Sequence, residues 1–261
     1  MPSPRLCLAV GLRVTDRGDG SLQVGLHADR RLLLPDEPPV RQLLTRLKHP
    51  ADPDRMSADE RALLDRLTAA GLLEQEVAAS PDPPGSSGTV AILAPDPAAA
   101  LVRRLLAEAD LTESRGGPDA ALALVVSIGA EPRRTDLDAI VQTDRPHLLV
   151  TSVAGRTRIG PCVVPGLTAC LRCLDEHLAD RDPRHVRIID QHVDVDRTDR
   201  PRPGDLALAL AWAVRDVAAL LAGDRPTTWS ATATLRPDGP LVQEWRRHPR
   251  CGCAWGDLLA G

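Results

Sequence analysis

The chain has 261 residues, with 32 lysine and arginine residues against 36 acidic residues and a net charge of −4. This length suffices for one large domain or two small ones, and the balanced charge leaves no basic surplus for nucleic acids or anionic membranes. The N-terminal apolar run is too short for a signal peptide, and the longest apolar stretch, DLALALAWAVRDVAALLAG, contains Arg215 and Asp216. We therefore expect a cytoplasmic protein without a nucleic-acid or membrane partner.

Residues 1–77 combine short apolar segments with later helical periodicity. RLCLAVGLRVTD, SLQVGLH and RRLLLP are separated by turns and predict three short strands. EPPVRQLLTRLKH predicts a helix with Pro38 and Pro39 at its start. A second helix begins after Ser57, which forms a predicted capping box with Glu60, and ends near Gly71. Strands and helices in this layout are typical of a small winged-helix-like domain.

A linker and a second domain follow. Residues 78–88, AASPDPPGSSG, lack apolar periodicity and predict a linker. In residues 89–261, the apolar strands TVAIL, ALALVVSIG and RPHLLVTSV alternate with helical segments, which favours a parallel, doubly wound sheet. We further expect a hairpin over 153–165, helices over 170–180 and 205–222, and a last hairpin around PDGP. The predicted fold class is thus α/β in two domains.

Four of the six cysteines form two close pairs. Cys170 and Cys173 have C-x-x-C spacing, and Cys251 and Cys253 have C-x-C spacing near the C-terminus. Two such pairs can complete a tetrahedral zinc shell with no open position, so we expect structural Zn²⁺. The alternative is four unrelated thiols. Cys7 and Cys162 have no partner by spacing and are interpreted as small packed residues.

The segment GPCVVPGLTACLRC, followed at a distance by HPRCGCAW, resembles the ThiF-like branch of the ubiquitin-activating-enzyme superfamily. Within that branch the chain is similar to precursor leader-peptide-binding proteins of azole-forming (TOMM) peptide biosynthesis, which begin with a PqqD-like recognition element. The resemblance implies a ThiF-type, Rossmann-like domain over 89–261 with the four paired cysteines as zinc ligands. It also implies a leader-peptide recognition domain over 1–77.

The nucleotide-binding features of that superfamily are missing from this sequence. A glycine-rich turn normally follows the first strand and cradles ATP phosphates, but here the strand is followed by Ala94, Pro95, Asp96 and Pro97. Where the resemblance implies a magnesium-binding Asp, the strand ends in SIGAEPRR, with Glu131 as a weak substitute. We therefore expect a degenerate Rossmann-like domain without catalytic residues.

The resemblance implies that a precursor leader peptide lies between the third strand and the second helix of the front domain. An extended peptide would add to the strand as a further strand. The candidate peptide-binding residues are Arg30, Arg31, Leu32 and Leu34 on the strand and Arg61, Leu64, Asp65 and Thr68 on the helix. The arginines would suit an acidic leader. For each of these residues the alternative is an ordinary core or solvated position.

The resemblance further implies a YcaO-type cyclodehydratase, or another maturation enzyme, as the partner that modifies the presented peptide. The apolar helix 205–222, with Trp212 central, fits the core of a homodimer as well as that of a domain.

Two other functions stay open from the sequence. An adenylating enzyme acting on a peptide carboxylate would need Arg103, Arg104, Arg133 or Arg134 to hold the phosphates, or Cys162 as a thioester-forming nucleophile. A winged-helix regulator would bind DNA, but residues 1–80 carry 11 basic and 12 acidic side chains, which disfavours a nucleic-acid surface.

Overall fold

The computed structural model describes residues 4–75, 88–114, 120–196 and 198–254. The chain divides into two compact units, residues 1–84 and 85–261. The predicted linker, apart from Gly88, lies outside the described residues. None of the helices in the described part of the chain is long and apolar enough to cross a membrane.

The described residues of the first unit form five short strands and two α-helices. Its elements are β1 (Leu6–Leu8), β2 (Val14–Asp16), β3 (Ser21–Val24), β4 (Leu32–Pro35), α1 (Pro38–Arg46), α2 (Ala58–Ala69) and β5 (Leu73–Gln75), with a 3-10 turn at Pro53–Arg55. The antiparallel sheet has the order β2-β3-β4, so β4 lies at an edge. The predicted capping box of α2 is confirmed, since the side chain of Ser57 and that of Glu60 each bond the other's backbone N–H.

The predicted first strand is wrong, because RLCLAVGLRVTD forms two strands in different sheets. The chain turns after β1, where the N–H of Leu12 donates to Ala9 O at 3.1 Å and Gly11 has φ 82. β1 pairs with β5 and β2 pairs with β3. A turn that needs a positive φ at Gly11 breaks the continuous apolar run that suggested one strand.

The second unit is a mixed α/β structure built on a seven-stranded sheet. Its strands are β6 (Thr89–Leu93), β7 (Thr112–Glu113), β8 (Leu122–Ile128), β9 (His147–Val153), β10 (Arg156–Val163), β11 (Ala231–Thr234) and β12 (Leu241–Glu244). Its helices are α3 (Asp96–Glu108), α4 (Arg134–Gln142), α5 (Leu171–Ala179), α6 (His185–Ile189) and α7 (Asp205–Leu221), with 3-10 turns at Asp190–His192 and Gly252–Ala254. The sheet order is β12-β11-β10-β9-β8-β6-β7.

The parallel half of this sheet matches the prediction from alternating strands and helices. β6 pairs in parallel with β7 and β8, and β8 pairs in parallel with β9, whereas β10, β11 and β12 continue the sheet antiparallel. The predicted hairpin is formed by β9 and β10, so it begins earlier than residue 153. The last hairpin, β11–β12, turns at PDGP as expected.

Alternate strand residues pack against helices on the two faces of the sheet. On one face Leu124 and Val150 share a core with Val102 of α3 and Val217 of α7. On the other face Leu149 packs with residues of α4 and α5. Helices on both faces explain why the central strands are apolar at nearly every position.

Candidate functional site

The structure brings together the two predicted cysteine pairs. Cys170 is the N-cap residue of α5, without a side-chain capping bond, and Cys173 lies in the first turn of the helix. Cys251 and Cys253 lie at the 3-10 turn near the end of the described chain. The four sulfur atoms all lie within 4.8 Å of one another, and three of the four residues are buried.

The sulfur–sulfur distances are close to those around one tetrahedral ion, at or somewhat below the ideal separation. The Sγ of Cys170 lies 3.8 Å from that of Cys173, 3.6 Å from that of Cys251 and 3.6 Å from that of Cys253, and Cys173 and Cys253 are 3.3 Å apart. Sulfurs bound at about 2.3 Å around zinc lie about 3.8 Å from each other. A disulfide requires about 2.05 Å. The cluster could therefore hold a metal ion.

Two of the four thiols in the cluster, Cys173 and Cys253, are shifted toward the thiolate form that binds metals. Hydrogen bonding from the Cys170 thiol lowers the pKa of Cys173, and the same kind of bond lowers the pKa of Cys253 to about 7. The pKa of Cys170 is correspondingly raised by its bonds to the neighbouring sulfurs. Some thiols in this cluster thus lose their protons readily, as metal ligands must.

A polar clamp, which the sequence analysis missed, holds the chain before Cys251 against α5. His248 Nε2 lies 3.1 Å from Asp180 Oδ2, and its Nδ1 accepts from the Arg250 N–H at 3.1 Å. Arg250 also pairs with Glu176 at 2.9 Å and with Asp180 at 2.6 Å. These contacts pre-position the second cysteine pair. Their sequence separation of about seventy residues gives no local pattern from which to predict them.

Cys162 is a packed residue, as expected. It is 0% exposed, and burial raises the pKa of its thiol to about 12. A thiol this buried and this protonated is a poor nucleophile at neutral pH. Cys7 is only partly buried.

At the N-terminus of α3 few backbone N–H groups are available for a phosphate. Pro95 is the N-cap residue, and its carbonyl accepts from the N–H groups of Ala98 and Ala99 at 3.0 and 2.9 Å. Pro97 has no N–H, and Asp96 places a carboxylate in the first turn.

The carboxyl end of β8 is covered by a later segment of the same unit. Gly129 O accepts from the Asp196 N–H at 2.8 Å, and the Glu131 N–H donates to His192 O at 2.7 Å. A Cβ at Gly129 would lie 2.5 Å from Asp196 O, which shows how closely the two segments approach. Ligands of parallel α/β sheets normally bind at this end of the strands.

Three of the four arginines considered for phosphate binding have carboxylate partners. Arg103 donates two hydrogen bonds to Glu113, at 2.7 and 3.1 Å, and Arg133 pairs with Asp194 at 2.8 Å. Arg104 is exposed on α3.

Arg134 lies in a buried charge network. It donates to both oxygens of Asp175, at 2.7 and 2.9 Å, and to Glu131 at 3.1 Å. Burial alone lowers the pKa of Arg134, but the bonds from its guanidinium to Asp175 and Glu131 outweigh it, so the pKa is raised. Glu131 is therefore already paired with a cation and is a poor ligand for magnesium.

A cavity of about 590 Å³ lies beside the cysteine cluster. Its lining includes Arg134, Arg172, Asp175, Arg250 and Cys251. Its charged groups are mostly paired with each other or with neighbours, as for Arg172, which bonds Asp138 at 2.6 Å.

In the first unit, the backbone of Leu33 faces the open edge of β4. The Asp36 N–H donates to Gly20 O at 2.9 Å, on the side of β3. Backbone N–H and C=O groups alternate in direction along a strand. Those of Leu32 and Leu34 therefore also point toward β3, and those of Leu33 point away from it. Consistent with this direction, Leu33 O accepts from Arg66 of α2 at 3.4 Å.

The side of α2 next to this edge carries small side chains. Ala62 and Ala69 flank Arg66 at helical spacings of four and three residues, so all three lie on one strip of the helix. Both alanines are exposed. Arg66 is thus flanked on this strip by two small side chains and reaches the backbone of β4.

The predicted peptide-binding residues are placed differently from one another. Leu34 and Leu64 are only 2% and 3% exposed and belong to the core, so their side chains do not line a surface. Leu32 is partly buried on the same inner face, whereas Arg30 and Arg31 are exposed. The strand residue with an exposed apolar side chain is Leu33, at 43%. Alternation along β4 was the signal that could have identified it.

On α2 the predicted Arg61, Asp65 and Thr68 are exposed, but they lie on the other flank of the helix. At about 100° per residue, Arg61 and Thr68 lie roughly 140° and 160° around the helix from Arg66. Arg61 donates to Met56 O at 2.7 Å and Thr68 to Leu64 O at 2.9 Å. Arg66, on the opposite flank, contacts the backbone of β4, and helical period alone does not show which flank meets a neighbouring strand. A role of Arg61, Asp65 and Thr68 in peptide binding stays a prediction.

Several solved structures have a fold similar to that of this chain. The chain superposes on the heterocyclase TruD with a TM-score of 0.70 and 18% identity, covering 97% of this chain and 43% of TruD. It superposes on E. coli MccB, solved with AMPCPP and MccA, with a TM-score of 0.62 and 12% identity, covering 95% of this chain and 99% of MccB. A heterocyclase in complex with substrate and cofactor gives a TM-score of 0.64, 19% identity, and coverage of 96% and 39%. No family model matches the sequence, and no match was found among curated proteins.

The chain thus spans less than half the length of the first heterocyclases it matches, and nearly the full length of MccB. At these identities the similarity establishes the fold.

Proposed function

We propose that this chain is a non-catalytic scaffold that binds the leader of a ribosomally synthesised precursor peptide and presents the peptide to a maturation enzyme. The observation that carries the proposal is the open edge of β4. The N–H and C=O of Leu33 point away from β3 at the edge of the sheet, on the side where α2 carries Arg66 between two alanines. An extended peptide can add there as a fourth strand of the β2-β3-β4 sheet.

Further support comes from the layout of the first unit and from the structural neighbours. A three-stranded sheet with adjacent helices is the arrangement of the winged-helix-like, PqqD-like element that the sequence resembles. MccB was solved with MccA, and TruD is a heterocyclase. A role in azole-forming peptide biosynthesis agrees with both.

In this proposal the second unit is a structural and docking domain stapled by zinc. Four thiolates at tetrahedral spacing form a closed shell with no position for substrate, so the ion stabilises the fold. The staple holds the C-terminal cysteine pair on the N-terminus of α5. The blocked N-terminus of α3 and the covered end of β8 support the absence of adenylation.

A YcaO-type cyclodehydratase is the proposed partner, because the leader-bound peptide needs an enzyme to modify its core. Tethering would raise the concentration of the core at the partner's active site without chemistry in this chain. We also propose that α7 contributes to a homodimer: Leu208 is 55% exposed on that helix, and Trp212 is half-buried.

The test is fluorescence polarisation of the labelled leader from a neighbouring precursor gene, titrated with the full chain. We compare the wild type with Leu33→Pro, which removes the edge N–H, and with Leu33→Val, which keeps it. Proline is tolerated at an edge position whose N–H faces solvent, so circular dichroism should show both variants folded. Saturable binding to wild type and Leu33→Val, lost in Leu33→Pro, supports the proposal. No binding to the wild type contradicts it.

The second candidate is an adenylating enzyme, favoured by the similarity to MccB, which was solved with ATP. ATP–pyrophosphate exchange in the presence of the precursor peptide decides between the two. We expect no exchange above the protein-free control; peptide-dependent exchange would establish the enzyme.

A further inference from the structure

The arginines around β4 and α2 differ from other arginines of the first unit in how they are paired. Arg17, Arg41, Arg46 and Arg55 all form ion pairs with carboxylates. In the described part of the chain, the arginines beside the open edge bond only backbone carbonyls: Arg30 bonds Gly71 O at 2.7 Å, and Arg66 bonds Leu33 O. Among the described residues, the positive charge at this edge therefore has no carboxylate within ion-pair distance.

The open edge of β4 also has a defined end. Pro35 occupies the next position that faces outward, and it has no N–H. Its carbonyl already accepts from the Glu37 N–H at 3.0 Å. An added strand can thus pair with the backbone of Leu33 and extend toward Arg31, but it cannot continue past Pro35. Leu33 is therefore the last residue of β4 whose N–H and C=O can both pair with an added strand.

Arg66 donates to the carbonyl oxygen of Leu33, which is the acceptor that such a strand needs. The carbonyl of Leu33 would accept the N–H of the incoming peptide, and the long 3.4 Å bond from the guanidinium of Arg66 is the weaker competitor that gives way. Once displaced, Arg66 stays beside the peptide, because α2 borders the edge. A guanidinium without a carboxylate partner in a narrow strip of alanines attracts an acidic side chain.

We infer that Arg66 is a specificity-determining residue that covers the Leu33 carbonyl in the free protein and binds a carboxylate of the peptide in the complex. The inference rests on the proposed function and names its ligand class: an extended peptide with an acidic residue next to the residue that pairs with Leu33. Side chains alternate along the added strand, so the residue opposite Leu33 shares the outer face with it, and its neighbours face α2. Asp59 lies on the same strip, about 10 Å along the helix from Arg66, so it leaves the charge of Arg66 uncompensated.

The experiment is a double-mutant cycle measured by polarisation with the full chain. The labelled leader peptide and versions with each Asp or Glu changed singly to its amide are titrated against wild type, Arg66→Gln and the control Arg55→Gln. Arg55 is an exposed arginine paired with Asp52, away from the edge. We expect Arg66→Gln to weaken binding roughly three- to fivefold, the range for an exposed ion pair. One amide-substituted peptide should lose the same factor against wild type and lose nothing more against Arg66→Gln.

A second readout does not depend on the variant. Hydrogen exchange of the Leu33 amide should slow on peptide binding, while that of Leu34, already bonded to β3, should change little. Binding in which no acidic position couples to Arg66 would overturn the inference and leave the proposed function intact. Absence of binding to the wild type would overturn both.

Discussion

Arg134 of α4 donates two hydrogen bonds to Asp175 of α5, at 2.7 and 2.9 Å, in a position where both side chains are less than a tenth exposed. This pair joins the helix after β8 to the helix that carries Cys170 and Cys173. Because this buried contact is bidentate, it fixes the position of the cysteine-bearing helix α5 relative to α4.

We expect Asp175→Asn to destabilise the second unit by about 2 kcal/mol, because it removes the bidentate, charge-assisted contact and leaves the buried Arg134 guanidinium with Glu131 as its carboxylate partner. Urea denaturation measures the change in the free energy of unfolding. The control is Asp138→Asn, which breaks the exposed pair between Arg172 and Asp138 and should cost less than about 1 kcal/mol. Equal losses in the free energy of unfolding would show that the buried pair stabilises the unit no more than the exposed pair does.

The cysteine cluster should bind one zinc ion per chain. Elemental analysis of the purified protein should find one equivalent, and removal by a strong chelator should lower the unfolding temperature of the second unit, because metal binding adds to folding free energy. Cys173→Ser and Cys251→Ser should each lose most of the metal. Cys162→Ser is the matched control and should keep it, since Cys162 lies outside the cluster. Zinc retained by both cluster variants would contradict the four-cysteine site.

Cys162 should resist thiol reagents in the folded protein. With its pKa raised to about 12 and no exposed surface, it stays protonated and shielded at pH 8. In the metal-loaded protein, a disulfide-exchange reagent should label Cys7 first and Cys162 only after denaturant is added. Mass spectrometry of the labelled peptides identifies the sites. Rapid labelling of Cys162 would reopen its role as a nucleophile.

The capping box of α2 predicts a specific pH dependence. The backbone N–H of Ser57, the largest contribution, and Arg46 hold the pKa of Glu60 below its ordinary value of 4.5. A folded pKa below the unfolded value adds stability that is present above about pH 4.5 and is lost as the pH falls through the folded pKa. We expect Glu60→Gln to be less stable than wild type at pH 7, with the difference shrinking below pH 4.5.

Ser57→Ala removes the other half of the capping box, the bond from the Glu60 N–H to the Ser57 hydroxyl. It should cost about 1 kcal/mol at pH 7, the usual value for an N-cap hydroxyl. Urea titration of the full chain followed by tryptophan fluorescence would miss the first unit, which contains no tryptophan in residues 1–80, so amide exchange of α2 is the suitable measurement. An unchanged exchange rate in α2 would rule out the cap as a source of stability.

Much of the local structure followed from the sequence. The helix after Ser57 starts at its capping box, and the alternating apolar strands gave the parallel half of the seven-stranded sheet. The four cysteines were also identifiable, because paired thiols at short spacing are a strong local signal. These features depend on interactions between residues that are close in the chain, so a short stretch of sequence is enough to predict them.

The tertiary structure decided the rest. It split RLCLAVGLRVTD at Gly11, buried Leu34 and Leu64, and turned Arg66 rather than Arg61 toward the edge of β4. It also assembled the clamp of His248 and Asp180, whose members are far apart in sequence. The period of a helix or strand determines which residues share a face, but only packing against the other elements determines what each face meets.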